Sequence, residues 1–257
     1  MEAIFEIGSS NLSIINSTFV DNHNTLFLAE NSVLSFNNSI ISNHLCYTNI
    51  QGCVIFSNYE TNLYIKNIKI SDVSSSNKDN IYLQSTIALI DGLFMNNISA
   101  SKQKGSCLGA IDSNIEMKTS FFQDFFWNCI YLEKSRIMAE NFKLSNSLPH
   151  TFKFYGAFIC NDCESSKIMN SLFEKNQNIY KGAALFINSN LKTQTSYMSQ
   201  NLIKNCFFVE NEAVEDGGGI FSENQYLIIE NCTFAFNRAK RGGGIFNIIQ
   251  GKTIKTF

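Results

Sequence analysis

A seven-residue phrase returns nine times along this chain and restricts what the chain can fold into. The copies are NSTFVDN (16–22), NNSIISN (37–43), NIKISDV (67–73), DGLFMNN (91–97), KTSFFQD (118–124), NFKLSNS (141–147), NSLFEKN (170–176), NCFFVEN (205–211) and NCTFAFN (231–237). The first position is almost always Asn and the seventh is usually Asn or Asp. The fourth is large and apolar: Phe19, Ile40, Ile70, Phe94, Phe121, Leu144, Phe173, Phe208 and Phe234. From Phe19 to Phe234 these residues are spaced by roughly 27 positions on average, the period of a solenoid.

A second phrase, Gly-x-x-Ile/Leu, follows in most repeats: GCVIF (52–56), GSCLG (105–109), GAFIC (156–160), GAALF (182–186), GGGIF (217–221) and GGGIF (242–246). A short apolar alternation precedes the first phrase, as in Leu12-Ser13-Ile14, Leu63-Tyr64-Ile65 and Ile228-Ile229. Each unit thus holds three short apolar segments separated by Asn, Gly and Ser. The segments are too short for helices, and their β-branched and turn-forming content predicts strands and bends.

A unit of about 27 residues at ~3.3 Å per residue has a perimeter near ~90 Å, enough for three short sides. Stacking such coils at ~4.8 Å puts equivalent residues in columns with parallel pairing. The fourth-position residues then form an inward apolar stack. Asn at the first and seventh positions is expected at bends, where it tolerates left-handed backbone and its amide can bond the next Asn. Gly in the second phrase serves another bend. Insertions loop out, and the polar stretch 189–200 is the longest. Crossovers between parallel strands are right-handed. The expected fold is therefore all-β: a single-stranded right-handed parallel β-helix, three short strands per coil, nine to ten coils, about ~45 Å long. Residues 1–257 make one such domain. The chain enters one strand before its first repeat and ends shortly after a complete Gly phrase. Solenoids normally close with capping segments, so a piece of a longer solenoid is expected.

The pairing of a Phe-x-x-Asn phrase with a Gly-Gly-Ala-Ile-like phrase resembles the repeats of chlamydial polymorphic outer-membrane proteins. It is similar also to the pectin-lyase-like β-helices of large protist surface proteins. Phe19…Asn22, Phe94…Asn97, Phe173…Asn176, Phe208…Asn211 and Phe234…Asn237 carry the first phrase; Gly217-Gly218-Gly219-Ile220 and Gly242-Gly243-Gly244-Ile245 come close to the second. The pattern covers nearly the whole chain and is strongest from about residue 165. The resemblance implies a surface or secreted scaffold associated with a membrane-attached parent protein, extracellular in location and adhesive or structural in role. A glycan or a surface protein of a host or neighbouring cell is the implied partner.

The rest of the sequence says which functions are unsupported. Net charge is −2 and 16% of residues are charged, so neither nucleic acid nor an anionic membrane is an evident partner. The single proline suits a continuous parallel stack, and the 33 Asn suit ladders. No 18-residue apolar window spans a membrane as a helix, and MEAIFEIGSS lacks the basic start and apolar centre of a secretory signal.

Cys206 and Cys232 hold the same position in successive repeats. They are either bonded between coils or, as expected here, buried as a column of thiols. Cys160-x-x-Cys163 is half a zinc site, a local disulfide or a chance spacing; zinc needs a second ligand pair, and only His150 is near in sequence. Cys46, Cys53, Cys107 and Cys129 are expected to fill core positions. Of five Asn-x-Ser/Thr sites (Asn11, Asn16, Asn37, Asn97, Asn231), Asn11 and Asn97 are the better glycan acceptors, the others being ladder positions. Glu210, Glu212, Glu215 and Asp216 precede a Gly bend; they suit calcium chemically, but a solvated acidic bend is expected. Phe121, Phe122, Phe125, Phe126 and Trp127 replace a Gly bend and form either a sugar-stacking platform or, as expected, a thickened core.

Many β-helices of this kind cleave acidic polysaccharides, which takes two carboxylates flanking a glycosidic bond, or carboxylates for calcium plus a basic proton acceptor. This chain has three arginines (Arg136, Arg238, Arg241), three histidines (His23, His44, His150) and no Asp-Asp or Gly-His-Gly phrase. Stacking can bring Asp91 to Lys118, but no cluster forms. No catalytic, cofactor-binding or metal residue is assigned. The expected function is a non-catalytic structural or adhesive β-helix segment, with a polysaccharide lyase or hydrolase of the same fold as the alternative.

Overall fold

Successive strands pair in parallel, each with the strands one coil earlier and one coil later, in a computed structural model. It describes residues 3–46, 52–75, 79–100, 105–147, 155–177, 179–189 and 200–248. The pairs resolve into three faces. Face 1 is a sheet of ten strands running from Phe5–Gly8 to Ile245–Ile248. Face 2 runs from Asn11–Ile15 to Tyr226–Glu230, and face 3 from Thr18–Val20 to Thr233–Ala235. In two coils, faces 2 and 3 are one continuous strand, Asn62–Ser75 and Ile87–Ala100, which merges both faces into one 16-stranded sheet. Ile179–Lys181 pairs with Ala213–Asp216 as a small ledge between faces 3 and 1. The expected fold class is the observed one, a parallel β-helix with three strands per coil. The polar stretch 189–200 lies mostly outside the described residues.

The corners are made by single left-handed residues. Between faces 1 and 2 these include Ser9, Asn31, Ser85, Asp112, Lys134, Asp162 and Asn224. Between faces 2 and 3 they are Asn16, Asn38, Asn67, Gly92, Thr119, Asn141, Asn170, Asn205 and Asn231. Asn dominates this column because its short amide makes a left-handed conformation cheap. The amide also reaches the next rung: Asn67 donates to Asn38 (3.0 Å), Asn205 to Asn170 (3.0 Å) and Asn231 to Asn205 (2.9 Å). The next residue is commonly a buried Ser, whose hydroxyl donates to the carbonyl two residues back, as Ser171 does to Met169 (2.6 Å). Gly217 and Gly242 turn the chain into face 1 with positive φ, and a Cβ on Gly217 would lie 2.4 Å from the Ile220 carbonyl.

The observed register corrects three copies of the seven-residue phrase. Phe19 stacks on Ile41, Ile41 on Ile70, Ile70 on Met95 and Met95 on Phe122. The inward column therefore runs through Ile41, Met95 and Phe122, not Ile40, Phe94 and Phe121, which face outward. In those copies the phrase starts one residue later, at Asn38, Gly92 and Thr119. Asp91 and Lys118 are in register, as expected, but on the outer side of face 2 and not in the Asn column. In GAFIC the inward residue is Phe158, paired with Leu185, and Ile159 points out beside Phe186.

The seventh position also differs from expectation. The left-handed residue is the sixth: Asp21, Asn43, Asp72, Asn97, Asp124, Asn146, Lys175, Glu210 and Phe236. The seventh side chain points inward, where Asn176, Asn211 and Asn237 form a ladder. Asn176 Nδ2 donates to Asn211 Oδ1 (2.9 Å) and Asn211 Nδ2 to Asn237 Oδ1 (3.0 Å). Each amide also donates to the carbonyl of the preceding coil's phenylalanine or leucine: Asn176 to Leu144, Asn211 to Phe173 and Asn237 to Phe208. Next to this ladder Phe173, Phe208 and Phe234 stack at 4.7 and 4.8 Å, the spacing of the strands that carry them.

Register gives a direct test. Phe122 is 0% exposed and Phe121 43%. Phe122→Ala is expected to lower stability by about 3–5 kcal/mol, and Phe121→Ala by less than ~1 kcal/mol. Urea unfolding midpoints of the two variants check this, and the opposite order would overturn the register.

Candidate functional site

Outward positions decide what the molecule offers a partner. On face 3 one outward column runs Ile40, Lys69, Phe94, Phe121, Lys143, Leu172, Phe207. Phe121 and Phe207 are 43% and 53% exposed. With Asn141, Asn170 and Asn205 from the adjacent corner they line a shallow groove of about 530 Å³. Lys69 lies 5.8 Å from the centre of the Phe94 ring, and Lys143 pairs with Glu174. Of the aromatic run 121–127, Phe122 and Phe125 are fully buried and Trp127 nearly so. The thickened-core expectation holds for these three, while Phe121 belongs to the outer groove. Trp127 takes the left-handed bend that Gly supplies elsewhere (φ 71°).

The acidic cluster is a solvated bend only at Glu210 and Glu212; Glu215 and Asp216 are held by cations. Asp216 is 1% exposed; Arg241 grips it through Nε (2.6 Å) and Nη2 (2.9 Å), and Lys181 Nζ lies at 3.3 Å. Both cations also lie over aromatic rings, Lys181 over Phe221 (4.7 Å) and Arg241 over Phe246 (4.8 Å). Those rings continue the outward column of face 1, where Phe186, Phe221 and Phe246 stack at 5.1 and 5.7 Å. The Arg241 guanidinium beside Asp216 holds its carboxyl below the usual carboxylate range, against the opposing effect of burial. Glu215 pairs with Lys240 (2.6 Å). With Asp216 and Glu215 occupied by cations, the four carboxylates do not converge as calcium ligands. Glu210 and Glu212, both exposed, line a separate groove of about 370 Å³ with Gln177, Phe236 and Arg238.

The cysteines are distributed in three ways. Cys160 and Cys163 form a local disulfide, which leaves no thiolate there for zinc; His150 lies outside the described residues. Cys206 and Cys232 are thiols in one column, as expected, with the Cys206 N–H donating to Cys232 Sγ (3.4 Å). They stand where other coils carry the buried corner Ser, and the Cys206 thiol makes the same bond to the carbonyl two residues back (3.2 Å). Burial pushes the Cys206 thiol up to about 12. Cys46, Cys53, Cys107 and Cys129 are buried as expected. Cys46 and Cys53, however, lie beside His44, a residue that sequence spacing did not single out.

The candidate glycan acceptors separate. Asn11 is exposed on face 2, whereas Asn97 is exposed but donates to Asp72 (2.7 Å) in a corner ladder. Asn37 is outside the corner column, which passes through Asn38. No helix among the described residues is long and apolar enough to cross a membrane.

No protein-family model matches the sequence, and no match to it was found among curated proteins. Among solved structures the chain is similar to the catalytic domain of a GH87 alpha-1,3-glucanase (9% identity, TM-score 0.33), over 95% of this chain and 63% of that one. It thus spans less than two thirds of the glucanase domain. It is similar also to the A-module of the mannuronan C-5 epimerase AlgE4 of Azotobacter vinelandii (8%, TM-score 0.26, 94% and 91%). QnrB1, a plasmid-mediated fluoroquinolone resistance protein, matches over 70% of this chain and 92% of its own (11%, TM-score 0.26). Likeness at this level carries no argument about activity. The repeat resemblance to polymorphic outer-membrane proteins gains no support from these comparisons.

The buried Asp216 carboxylate makes stability depend on acid. Its folded pKa is depressed, so its contribution is complete above the unfolded value of about 3.9 and is lost as pH falls through the lower folded value. Thermal melts of the native chain are expected to drop steeply below about pH 4, and Asp216→Asn is expected to remove that part of the acid dependence while lowering stability at neutral pH. Equal acid limbs in both proteins would overturn the assignment.

Proposed function

We propose that this chain is a non-catalytic, rigid β-helix segment of a surface or secreted protein, and that face 3 is its contact surface for a glycan. The supporting observation is the outward row Phe121, Lys143, Leu172 and Phe207, each one coil from the next, with both rings exposed and Leu172 half-buried, flanked by the amides of Asn141, Asn170 and Asn205. Rings and aliphatic side chains at coil spacing suit the apolar faces of successive sugars, and amides beside them suit hydroxyls. A protein partner would use the same row, but the alternation of apolar and amide groups favours a carbohydrate.

A polysaccharide-degrading enzyme is the second interpretation, and the groove of Glu210, Glu212 and Arg238 is what favours it. Both carboxylates stand in open solvent, whereas a proton-donating carboxyl in such enzymes is sheltered by apolar walls. This weighs against turnover.

A glycan array probed with the purified chain, followed by titration of each hit, separates the two. Specific binding is expected, weakened at least tenfold by Phe207→Ser and unaffected by Glu210→Gln. Release of new reducing or unsaturated ends that Glu210→Gln or Glu212→Gln abolishes would overturn the non-catalytic role. Antibody staining of intact against permeabilised cells tests the surface location, and staining only after permeabilisation would sink it.

A further inference from the structure

The seventh-position column that carries the inward Asn ladder contains one histidine. His44 lies on the rung between Asn22 and Val73 and is 0% exposed. Its Nε2 is 2.6 Å from the Asn24 carbonyl. A carbonyl only accepts, so Nε2 carries the proton and Nδ1 is left with a lone pair. That Nδ1 is buried and has no hydrogen-bond partner. An unmet buried acceptor is costly unless something else satisfies it.

Two residues on, Cys46 also points inward, and Cys53 enters from the start of the next coil; they are 1% and 0% exposed. The ligand atoms of the three side chains all lie within 4.8 Å of one another. Ligand atoms about 2.0–2.3 Å from a common metal ion are roughly 3.5–4 Å apart, so closure of about 1 Å completes a site. The contact from His44 Nε2 to a backbone carbonyl is also the usual way in which a ligating imidazole is fixed in tautomer and orientation.

We propose that His44 Nδ1, Cys46 Sγ and Cys53 Sγ form a buried three-ligand site for a soft monovalent cation, Cu(I). Two thiolates and an imidazole suit Cu(I) and Zn(II) alike by ligand type. Zinc completes four-coordination, with a fourth protein ligand or a water; the three side chains here are dry and supply three donors, a number Cu(I) accepts. Binding releases the two thiol protons and gives one bis-thiolate imidazole complex of net charge −1, with no change in oxidation state. Cys107 and Cys129 are a second pair of buried thiols, hydrogen-bonded to one another, and serve as a built-in control.

The full chain, purified anaerobically with a reductant, is loaded with Cu(I) and challenged with a chromophoric Cu(I) chelator. The native chain is expected to keep one more ion than His44→Asn, with affinity at least tenfold higher at that site. Asn is the residue that the preceding rung (Asn22) and the rungs at Asn176, Asn211 and Asn237 use in this column, so this variant keeps the fold. Cys53→Ser is expected to behave like His44→Asn, and the double variant Cys107→Ser/Cys129→Ser like the native chain. X-ray absorption at the copper edge of the unmutated protein gives a reading free of folding effects: two sulfurs and one nitrogen are expected. Unchanged retention by His44→Asn, an all-sulfur copper environment, or binding of Zn(II) without Cu(I) overturns the proposal. So does a Cys46–Cys53 disulfide mapped in the native chain that persists under the reductant.

Discussion

Everything in this molecule depends on parallel register between coils. Strand residues bond through their backbone to the residues flanking the equivalent position one coil away, so the chain behaves as a set of columns and only secondarily as a sequence of strands. A column repeats the same chemical question at every rung. Phe173, Phe208 and Phe234 answer it with stacked rings; Asn176, Asn211 and Asn237 answer it with amides that donate to one neighbour and accept from the next. Both solutions work because neighbouring side chains are held at the spacing that rings and amides prefer.

Polar columns inside the coil explain how so Asn-rich a chain keeps a dry core. The interior holds Ser166 bonded to Asn201, and Asn201 bonded in turn to Gln225. Buried amides are costly unless their hydrogen bonds are met; stacking meets most of them through the next copy, and Asn176 Oδ1, at the end of its ladder, is left without one. A departure from the column chemistry is therefore informative. The cysteines at 206 and 232 replace serine and keep its hydrogen bond to the carbonyl two residues back. The histidine at 44 replaces an amide and leaves one nitrogen unmet.

Fold class, coil number and strands per coil were legible in the sequence because a period near 27 residues and the Gly and Asn punctuation belong to the architecture itself. The register was legible in six of the nine copies of the phrase. The other three failed where two apolar residues are adjacent: Ile40-Ile41, Phe94-Met95 and Phe121-Phe122. Side chains alternate sides along a strand, so a slip of one residue exchanges inside for outside, and apolar character alone cannot say which neighbour faces in. The corner residue does say: Asn38, Gly92 and Thr119 take the left-handed turn. The outer groove was hidden for the same reason, since Phe121 was counted inward. His44 was passed over because its significance comes from Cys53, nine residues later and across a corner, a spacing that by itself matches no metal-binding motif. Asp216 was misjudged because Arg241 meets it from the coil above, 25 residues later.

The disulfide between Cys160 and Cys163 joins residues only three positions apart within one coil. Among the described residues, no covalent link other than the chain itself joins one coil to the next. The hydrogen bonds that join coils lie along the long axis of the solenoid, so a pull applied at the two ends loads them one rung after another. Such a rod resists bending and compression but yields to tension by peeling, releasing a coil's length of chain at each step. Embedded in a longer tether, it would behave as an extensible element that gives way in increments and restacks when the load is removed.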